Sequence, residues 1–305
     1  MPTAAPRDRV LTWILPSLPA VVALALLILS LLSAEIIVAN ELKRRAGTRV
    51  EQAALLYADQ VSRSLARRTV ELHLLGEMSR ANIPTDTWRD QIQRLKSSTN
   101  SYVWIGVTDE HGEVEVASDR LLEGVSIASR GVFTNGRAAL WFGSLHPPVA
   151  LREPLRLRGM QVPKELADIA MPIYDAQGET RGVIAAHLDA RQFDQWREQV
   201  LGPLEDRRSL DLALVDTDGR VLIGQRPSVT DSEWNVLLSS PERDAHTIQD
   251  EEGEHHILSR VAIQPRDSAL RTPWQVVGYQ PLNAAIEPVR QLERSLLTWG
   301  GITTL

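Results

Sequence analysis

The sequence contains no cysteine. This excludes disulfide bonds, thiol nucleophiles, cysteine-ligated zinc and cysteine-ligated iron–sulfur clusters. Walker, Rossmann, HExxH and GxSxG signatures are also missing, so we predict no catalytic residue and no cofactor. The chain is not basic, since its net charge is −6. We therefore predict no nucleic-acid partner. What remains is an ordinary globular composition of 43% hydrophobic and 24% charged residues, long enough at 305 residues for about two domains.

One long apolar run lies near the N-terminus, after a polar segment at residues 1–9. Residues 10–34 are almost entirely apolar and are densest at Val21–Leu32. A helix needs about 20 apolar residues to cross a bilayer, so we predict a transmembrane helix at 10–34. Two alternatives stay open: cleavage as a signal peptide near Ser33–Glu35, and either orientation, because the basic residues after the span outnumber those before it.

Residues 35–85 have the pattern of one long stalk helix leaving the membrane. Charged and polar residues separate apolar ones that recur every three or four positions, at Val50, Ala54, Tyr57, Val61 and Leu65. No glycine or proline interrupts residues 50–75, and Pro84 ends the pattern. We predict that the apolar stripe is the surface of a homodimer, and that a short second helix follows at Thr87–Leu95.

Two segments about a hundred residues apart share one pattern, Tyr102–Arg120 and Leu212–Gln225. Each segment begins with an apolar run that ends at an Asp, and a Gly follows three residues after that Asp. A second stretch containing apolar residues comes next. This order indicates a strand, a tight turn and a strand. The segment Ala167–Asp189 has the same form. We predict two copies of one antiparallel module, at residues 86–203 and 204–281.

The modules are predicted to close with hairpin strands. The hairpin Ala167–Asp189 closes the first copy, and His256–Ile263 with Trp274–Tyr279 closes the second. Leu121–Leu166, between the halves of the first copy, has an irregular pattern. Its aromatic residues and double proline favour an ordered binding loop.

Two helical segments follow the modules. Arg191–Leu201 is predicted to be a connecting helix that stops at Gly202-Pro203. Residues 282–305 are predicted to form an exit helix and the start of a truncated second transmembrane helix, because the last residues are apolar but too few to span a bilayer.

Three motifs, in this order and together with the predicted membrane spans, resemble the double Cache (dCache_1-like, PAS-like) sensor domain of bacterial membrane receptors. G-V-S-I-A-S-R-G-V-F at Gly124–Phe133 is similar to the family's (D/S)RxYF segment. D-I-A-M-P-I-Y-D-A-Q-G-E-T-R-G-V-I-A-A-H-L at Asp168–Leu188 is similar to its central hairpin, and P-W-Q-V-V-G-Y-Q-P-L at Pro273–Leu282 to its closing strand. Such domains occur upstream of GGDEF diguanylate cyclases and sensor histidine kinases, but no output domain is present in this sequence.

The resemblance implies an α+β fold in which a long N-terminal helix precedes two PAS-like antiparallel-sheet modules, flanked by transmembrane helices. It implies a cytoplasmic N-terminus at residues 1–9, a periplasmic sensor region and anchoring in the bacterial inner membrane. A small ligand is expected in the membrane-distal module, 86–203, with 204–281 as the membrane-proximal module. The alternative function is a membrane-anchored scaffold whose modules bind a protein partner.

The resemblance also transfers a set of ligand-binding positions: Trp104, Arg130, Phe133, Trp141, His146, Asp168 and His187. Arg130 is the central prediction, because a guanidinium grips a carboxylate through two parallel hydrogen bonds. The alternatives are a structural arginine at 130, core tryptophans at 104 and 141, and hydrogen-bonded core histidines at 146 and 187.

His187 stands where amino-acid-sensing members of the family carry an aspartate for the ligand's amine. The sequence therefore favours an organic anion over an amino acid. His255 and His256 follow several glutamates, but without a second ligand cluster we interpret them as a solvated turn and predict no metal site. Asp216-x-Asp218-Gly219 lacks the distal Glu of a calcium loop, so we predict a hairpin turn there.

Overall fold

The computed structural model describes residues 8–81, 83–204, 210–240, 245–249, 253–264 and 272–287. Within residues 8–35 it describes the backbone and only some of the side chains. The helices are α1 (Asp8–Glu77), α2 (Thr85–Ser98), α3 (Gly131–Thr134), α4 (Arg152–Leu157), α5 (Arg191–Leu201) and α6 (Asp231–Ser239). The first five strands are β1 (Tyr102–Thr108), β2 (Val114–Ala117), β3 (Trp141–His146), β4 (Leu166–Tyr174) and β5 (Thr180–Asp189). The second five are β6 (Asp211–Asp216), β7 (Val221–Ile223), β8 (Ala245–Gln249), β9 (His255–Ala262) and β10 (Trp274–Pro281).

The strands form two antiparallel five-stranded sheets with the same connectivity. The first has the order β2-β1-β5-β4-β3 and the second the order β7-β6-β10-β9-β8. The predicted α+β fold with two related modules is therefore confirmed. The last strand of each module, β5 or β10, is the central strand of its sheet. In the first module, β5 forms a hairpin with the neighbouring strand β4.

The repeated turns have a common chemical cause. The Asp109 carboxylate accepts hydrogen bonds from the amides of residues 111 and 113, at 2.9 and 2.8 Å. Asp216 does the same for the amides of residues 218 and 220, at 3.0 and 2.9 Å. Gly112 and Gly219 complete these turns with φ values of +85° and +79°, a conformation that favours glycine. Asp216 thus belongs to a hairpin turn, as predicted.

Helix α1 is the common support of both sheets. Gly278 of β10 lies against the backbone of Val50, and Gly76 of α1 lies against the side chain of Ile173 on β4. The apolar stripe of α1 is fully buried, including Val50, Tyr57 and Leu65. The prediction that this stripe forms a dimer surface is wrong, because the stripe packs into the core of its own chain.

The segment Leu121–Leu166 is less irregular than its sequence indicates. It contains the short helices α3 and α4 and the edge strand β3, which pairs with β4 through Trp141↔Ala170 and Phe142↔Ile169. The strand lacks a clear alternation because Gly143 and Ser144 interrupt its apolar residues. Pairing with β4 defines it instead.

Other predictions agree in part or fall outside the described residues. Helix α5 has the predicted bounds, and α2 extends the predicted second helix at both ends. Residues 282–287 are helical, whereas the rest of the predicted exit helix and second span lies outside the described residues. Among the described residues, no helix has a stretch both long and apolar enough to cross a bilayer. Most side chains of the predicted span at 10–34 are not among those described.

Candidate functional site

A cavity of about 350 Å³ lies in the first module, between the sheet and the connecting residues at 122–132 and 148–151. Six of the seven residues predicted to bind a ligand line it: Trp104, Arg130, Trp141, His146, Asp168 and His187. They come from β1, β3, β4, β5 and the start of α3, and the sheet register brings them together. The seventh, Phe133, is buried in the apolar cluster of this face and is not among the cavity-lining residues.

Two tryptophans form apolar parts of the cavity wall, and each depends on a glycine two residues later. A Cβ atom on Gly106 would lie 2.1 Å from the Trp104 ring, and one on Gly143 would lie 2.5 Å from the Trp141 ring. Trp104 is also fixed by a hydrogen bond of 2.9 Å from its Nε1 to the carbonyl of Leu121. Trp104 is therefore a rigid wall as well as part of the core.

One carboxylate joins two histidines at the sheet side of the cavity. Asp168 and His187 are directly opposed on β4 and β5, and His187 Nδ1 lies 2.6 Å from Asp168 Oδ1. His146, at the end of β3, places Nε2 2.9 Å from the same oxygen. The imidazoles of His146 and His187 meet edge to face at 5.8 Å, and His187 lies 5.1 Å from the Trp104 ring. We call His146, Asp168 and His187 the triad.

The triad is strongly coupled electrostatically. Burial raises the pKa of Asp168, but the two histidines outweigh this and hold it well below its usual range. The hydrogen bond to Asp168 raises the pKa of His146 despite partial burial. Both nitrogens of His146 face acceptors, because Nδ1 lies 2.9 Å from the Pro147 carbonyl. When His146 is protonated, it therefore donates a hydrogen bond from each ring nitrogen. The Asp168 carboxylate already has His146 and His187 as hydrogen-bonding partners.

Arg130 brings a positive charge to the cavity that is not paired among the described residues. It precedes α3, lines the cavity and is exposed. No described residue forms a hydrogen bond or ion pair with its guanidinium. Its positive charge opposes protonation of His146, which places the two groups in one electrostatic environment. The alternative of a structural arginine that binds loop carbonyls finds no support among the described contacts.

The cavity also has an apolar roof, whose residues the sequence pattern did not predict. Leu122, Ile127 and Val132 line the cavity, as do residues 148–151. Leu122 has a φ of +67°, and Asp119 and Arg120 before it have φ values of +51° and +54°. Such conformations are unfavourable for residues other than glycine and concentrate at functional sites. Only the irregular pattern of the segment could have indicated them.

A second, more open depression of about 620 Å³ lies by α2 and α5 in the same module. Its main charged groups already have partners, since Lys96 pairs with Asp119 and Arg191 with Asp189. It therefore offers less unused charge than the cavity at Arg130.

Two antiparallel five-stranded sheets on one long helix, with a cavity in the first module, define a double-module α+β architecture. The family model of the Cache domain, dCache_1, matches residues 38–289, so the chain belongs to the Cache domain family. Domains of this family sense ligands, so this region is a sensor module and not an enzyme. A search of curated proteins gave no significant match.

Solved structures with the same fold include sensory domains of bacterial receptors. The sensory domain of the Campylobacter jejuni chemoreceptor Tlp3 with bound isoleucine is 10% identical, with a TM-score of 0.61 and coverage of 81% of this chain and 97% of that one. The ligand-binding domain of the Pseudomonas aeruginosa PAO1 amino acid chemoreceptor PctC, in complex with GABA, is 14% identical, with a TM-score of 0.55 and coverage of 77% and 99%. The extracellular domain of the candidate histidine kinase rpHK1S-Z16 is 16% identical, with a TM-score of 0.59 and coverage of 78% and 95%. At these identities the similarity establishes the fold alone.

Proposed function

We propose that this chain is the extracytoplasmic sensor region of a bacterial transmembrane receptor, and that its first module binds a small organic anion. The observation that carries the proposal is the cavity at Arg130, whose guanidinium has no partner among the described residues. The apolar walls would hold the carbon skeleton of a ligand, and Arg130 would bind its carboxylate. Trp104, Trp141 and the triad would complete the site, with Phe133 supporting it from the core.

The charges favour an anion over a free amino acid. An amino acid needs an anionic group for its ammonium as well as a cation for its carboxylate. The Asp168 carboxylate already accepts hydrogen bonds from His146 and His187, so it offers no free anionic group to an ammonium. Arg130 adds a positive charge, so the polar end of the cavity suits a negatively charged ligand.

The signalling part of the proposal follows from the family and from the N-terminal sequence. Residues 10–34 would anchor the chain in the inner membrane, and the modules would face the periplasm. The signal would pass through the exit segment at 282–305 to a cytoplasmic diguanylate cyclase or histidine kinase. A homodimer would use the outward side of α1, where Leu56, Val70 and Leu74 are exposed. Ligand binding would act by differential affinity for two arrangements of these helices.

A thermal-shift screen with charge-matched pairs tests the ligand class. Each dicarboxylate or monocarboxylate is compared with its neutral amide and with the corresponding amino acid. At a hundred times its Kd, a bound anion should stabilise the fold by about 2.7 kcal/mol, which corresponds to a shift of a few degrees. Stabilisation by the anion but not by its amide is the expected result. Stabilisation only by neutral or cationic compounds would contradict the proposed ligand class.

A further inference from the structure

We infer that the triad is a binding site for one divalent transition-metal ion of the zinc class, at the sheet side of the cavity. One nitrogen from each of His146 and His187 and one oxygen of Asp168 lie within 4.8 Å of one another. Among the described residues, this is the one group of three or more such side chains close enough to share an ion. The inference concerns a cation site and does not depend on the identity of the organic ligand.

The donor set determines the class of ion. Two imidazole nitrogens and one carboxylate oxygen suit zinc, cobalt, nickel and copper, whereas calcium and magnesium prefer sites built from oxygen alone. Three protein ligands also leave a coordination position for water or for a ligand atom. The three side chains all line the cavity, so this position is accessible from it.

The surroundings of His146 match those of a metal-binding histidine. Such residues usually donate their second ring N–H to a carboxylate or a backbone carbonyl, which fixes the tautomer. Here the Pro147 carbonyl lies 2.9 Å from Nδ1. With Nδ1 donating to this carbonyl, Nε2 faces the buried Asp168 oxygen. The lone pair of Nε2 would repel the carboxylate unless a proton or a metal ion lies between them. The metal ion would replace the proton.

The backbone supports a preformed site. Asp168 and His187 are opposed across the central strands β4 and β5, and β3 brings His146 to the adjacent edge. The side chain of Asp168 is 7% exposed, whereas that of His146 is 40% exposed. An ion can therefore reach the site from the cavity through the more exposed histidine, while the buried aspartate is held by the sheet.

Titration of the tag-free chain with Zn²⁺ alone, by calorimetry, and with Co²⁺ alone, by visible absorption, tests the inference. We expect one ion per chain. His146→Ala should weaken binding by at least about tenfold, since loss of even an outer-shell partner of a metal ligand typically costs 10- to 100-fold. His111→Ala, which changes an exposed histidine on the β1–β2 turn of the same module, should leave affinity unchanged.

His146→Gln provides a second variant should the alanine disturb the fold. Glutamine keeps a hydrogen-bond donor near Asp168 but is a poor ligand for zinc, so metal binding should again be lost. Absence of stoichiometric binding to the wild type would overturn the inference. So would binding that survives both His146 variants, or that disappears in a His255→Ala, His256→Ala double variant. Arg137→Ala, which changes an arginine of the same module that does not line the cavity, should leave the Zn²⁺ titration unchanged.

Discussion

Two residues without side chains shape the cavity. Gly106 on β1 and Gly143 on β3 each follow a tryptophan by two positions, so they lie on the same face of their strands as the rings of Trp104 and Trp141. Each indole occupies the space that a Cβ atom would need. The shape of the site therefore depends on the absence of side chains at Gly106 and Gly143 as well as on its polar groups.

Gly106→Ala should displace the Trp104 ring. Its Cβ would approach the ring to 2.1 Å, and the hydrogen bond from Trp104 to Leu121 would be strained. Overpacking of this kind typically costs about 1–3 kcal/mol in the free energy of unfolding. Denaturant unfolding measures the loss. Gly131→Ala is the matched control, since its Cβ would meet nothing closer than 3.4 Å, and equal stability of the two variants would contradict the account.

Helix α2 holds the strained segment at residues 118–123 by its side chains. Gln93 and Lys96 bind the Asp119 carboxylate, and Arg89 binds Glu123 at 3.1 Å. Glu123 also accepts a hydrogen bond from the amide of Ala117. At the scale of elements, α2 thus fixes the residues beside the cavity roof, including Leu122.

Glu123 should make this connection sensitive to acid. Burial opposes its ionisation, but the hydrogen bonds from Arg89 and Ala117 outweigh burial and lower its pKa. A carboxylate with a lowered pKa stabilises the fold above the pKa of the unfolded state, about 4.3, and loses this effect as the pH falls through its folded value. Wild type should exceed Glu123→Gln in stability by up to about 1 kcal/mol at pH 7.

The two unfolding free energies should converge as the pH falls below about 4. Urea denaturation at a series of pH values measures the difference. Glu179→Gln, at the exposed β4–β5 turn, is the control and should follow wild type throughout. A difference that is constant with pH, or that grows in acid, would contradict the assigned role.

At this scale, elements whose defining residues are close together in the sequence could be predicted, and elements defined by distant contacts could not. The turns at Asp109 and Asp216 could be predicted because the Asp and the Gly that form them are three residues apart. The apolar stripe of α1 could be found, but periodicity shows that a face is buried and not what covers it. Strand β3 was missed because pairing with β4 defines it more than its own pattern.

The candidate site shows the same limit. The resemblance brought the three triad residues into one predicted pocket, but their contacts could not be derived from spacing. His146 and Asp168 are 22 positions apart, and their meeting depends on the register of β3 against β4. The strained roof around Leu122 was indicated only by the irregular pattern of its segment, because no single residue type other than glycine marks a left-handed conformation.

At the scale of the whole molecule, a small group of aromatic residues connects α1, α5 and the second module. Tyr57 of α1 is fully buried and donates a hydrogen bond of 3.0 Å to the carbonyl of Phe193 on α5. Phe193 in turn packs edge to face on Trp274 of β10, at 5.5 Å. The connecting helix, the stalk helix and the second module therefore share one core, which gives a route between the two modules.

Tyr57→Ala should destabilise both modules together. Removal of a fully buried aromatic side chain typically costs about 3–5 kcal/mol. Calorimetric unfolding should show one transition in wild type and one transition at lower temperature in the variant. Leu157→Ala, at an exposed position of α4, is the control and should change little. Two separate transitions, with only one shifted, would contradict a shared core.

The most direct test of the central claim is the affinity of Arg130→Ala for the anion that gives the largest thermal shift. Calorimetric titration should show Kd raised at least about tenfold, because a charge-assisted hydrogen bond contributes about 1.5–3 kcal/mol. Arg137→Ala, which changes an arginine of the same segment that does not line the cavity, should bind as wild type does. An unchanged Kd in Arg130→Ala, with the fold intact, would contradict the claim that this cavity is the sensor's anion site.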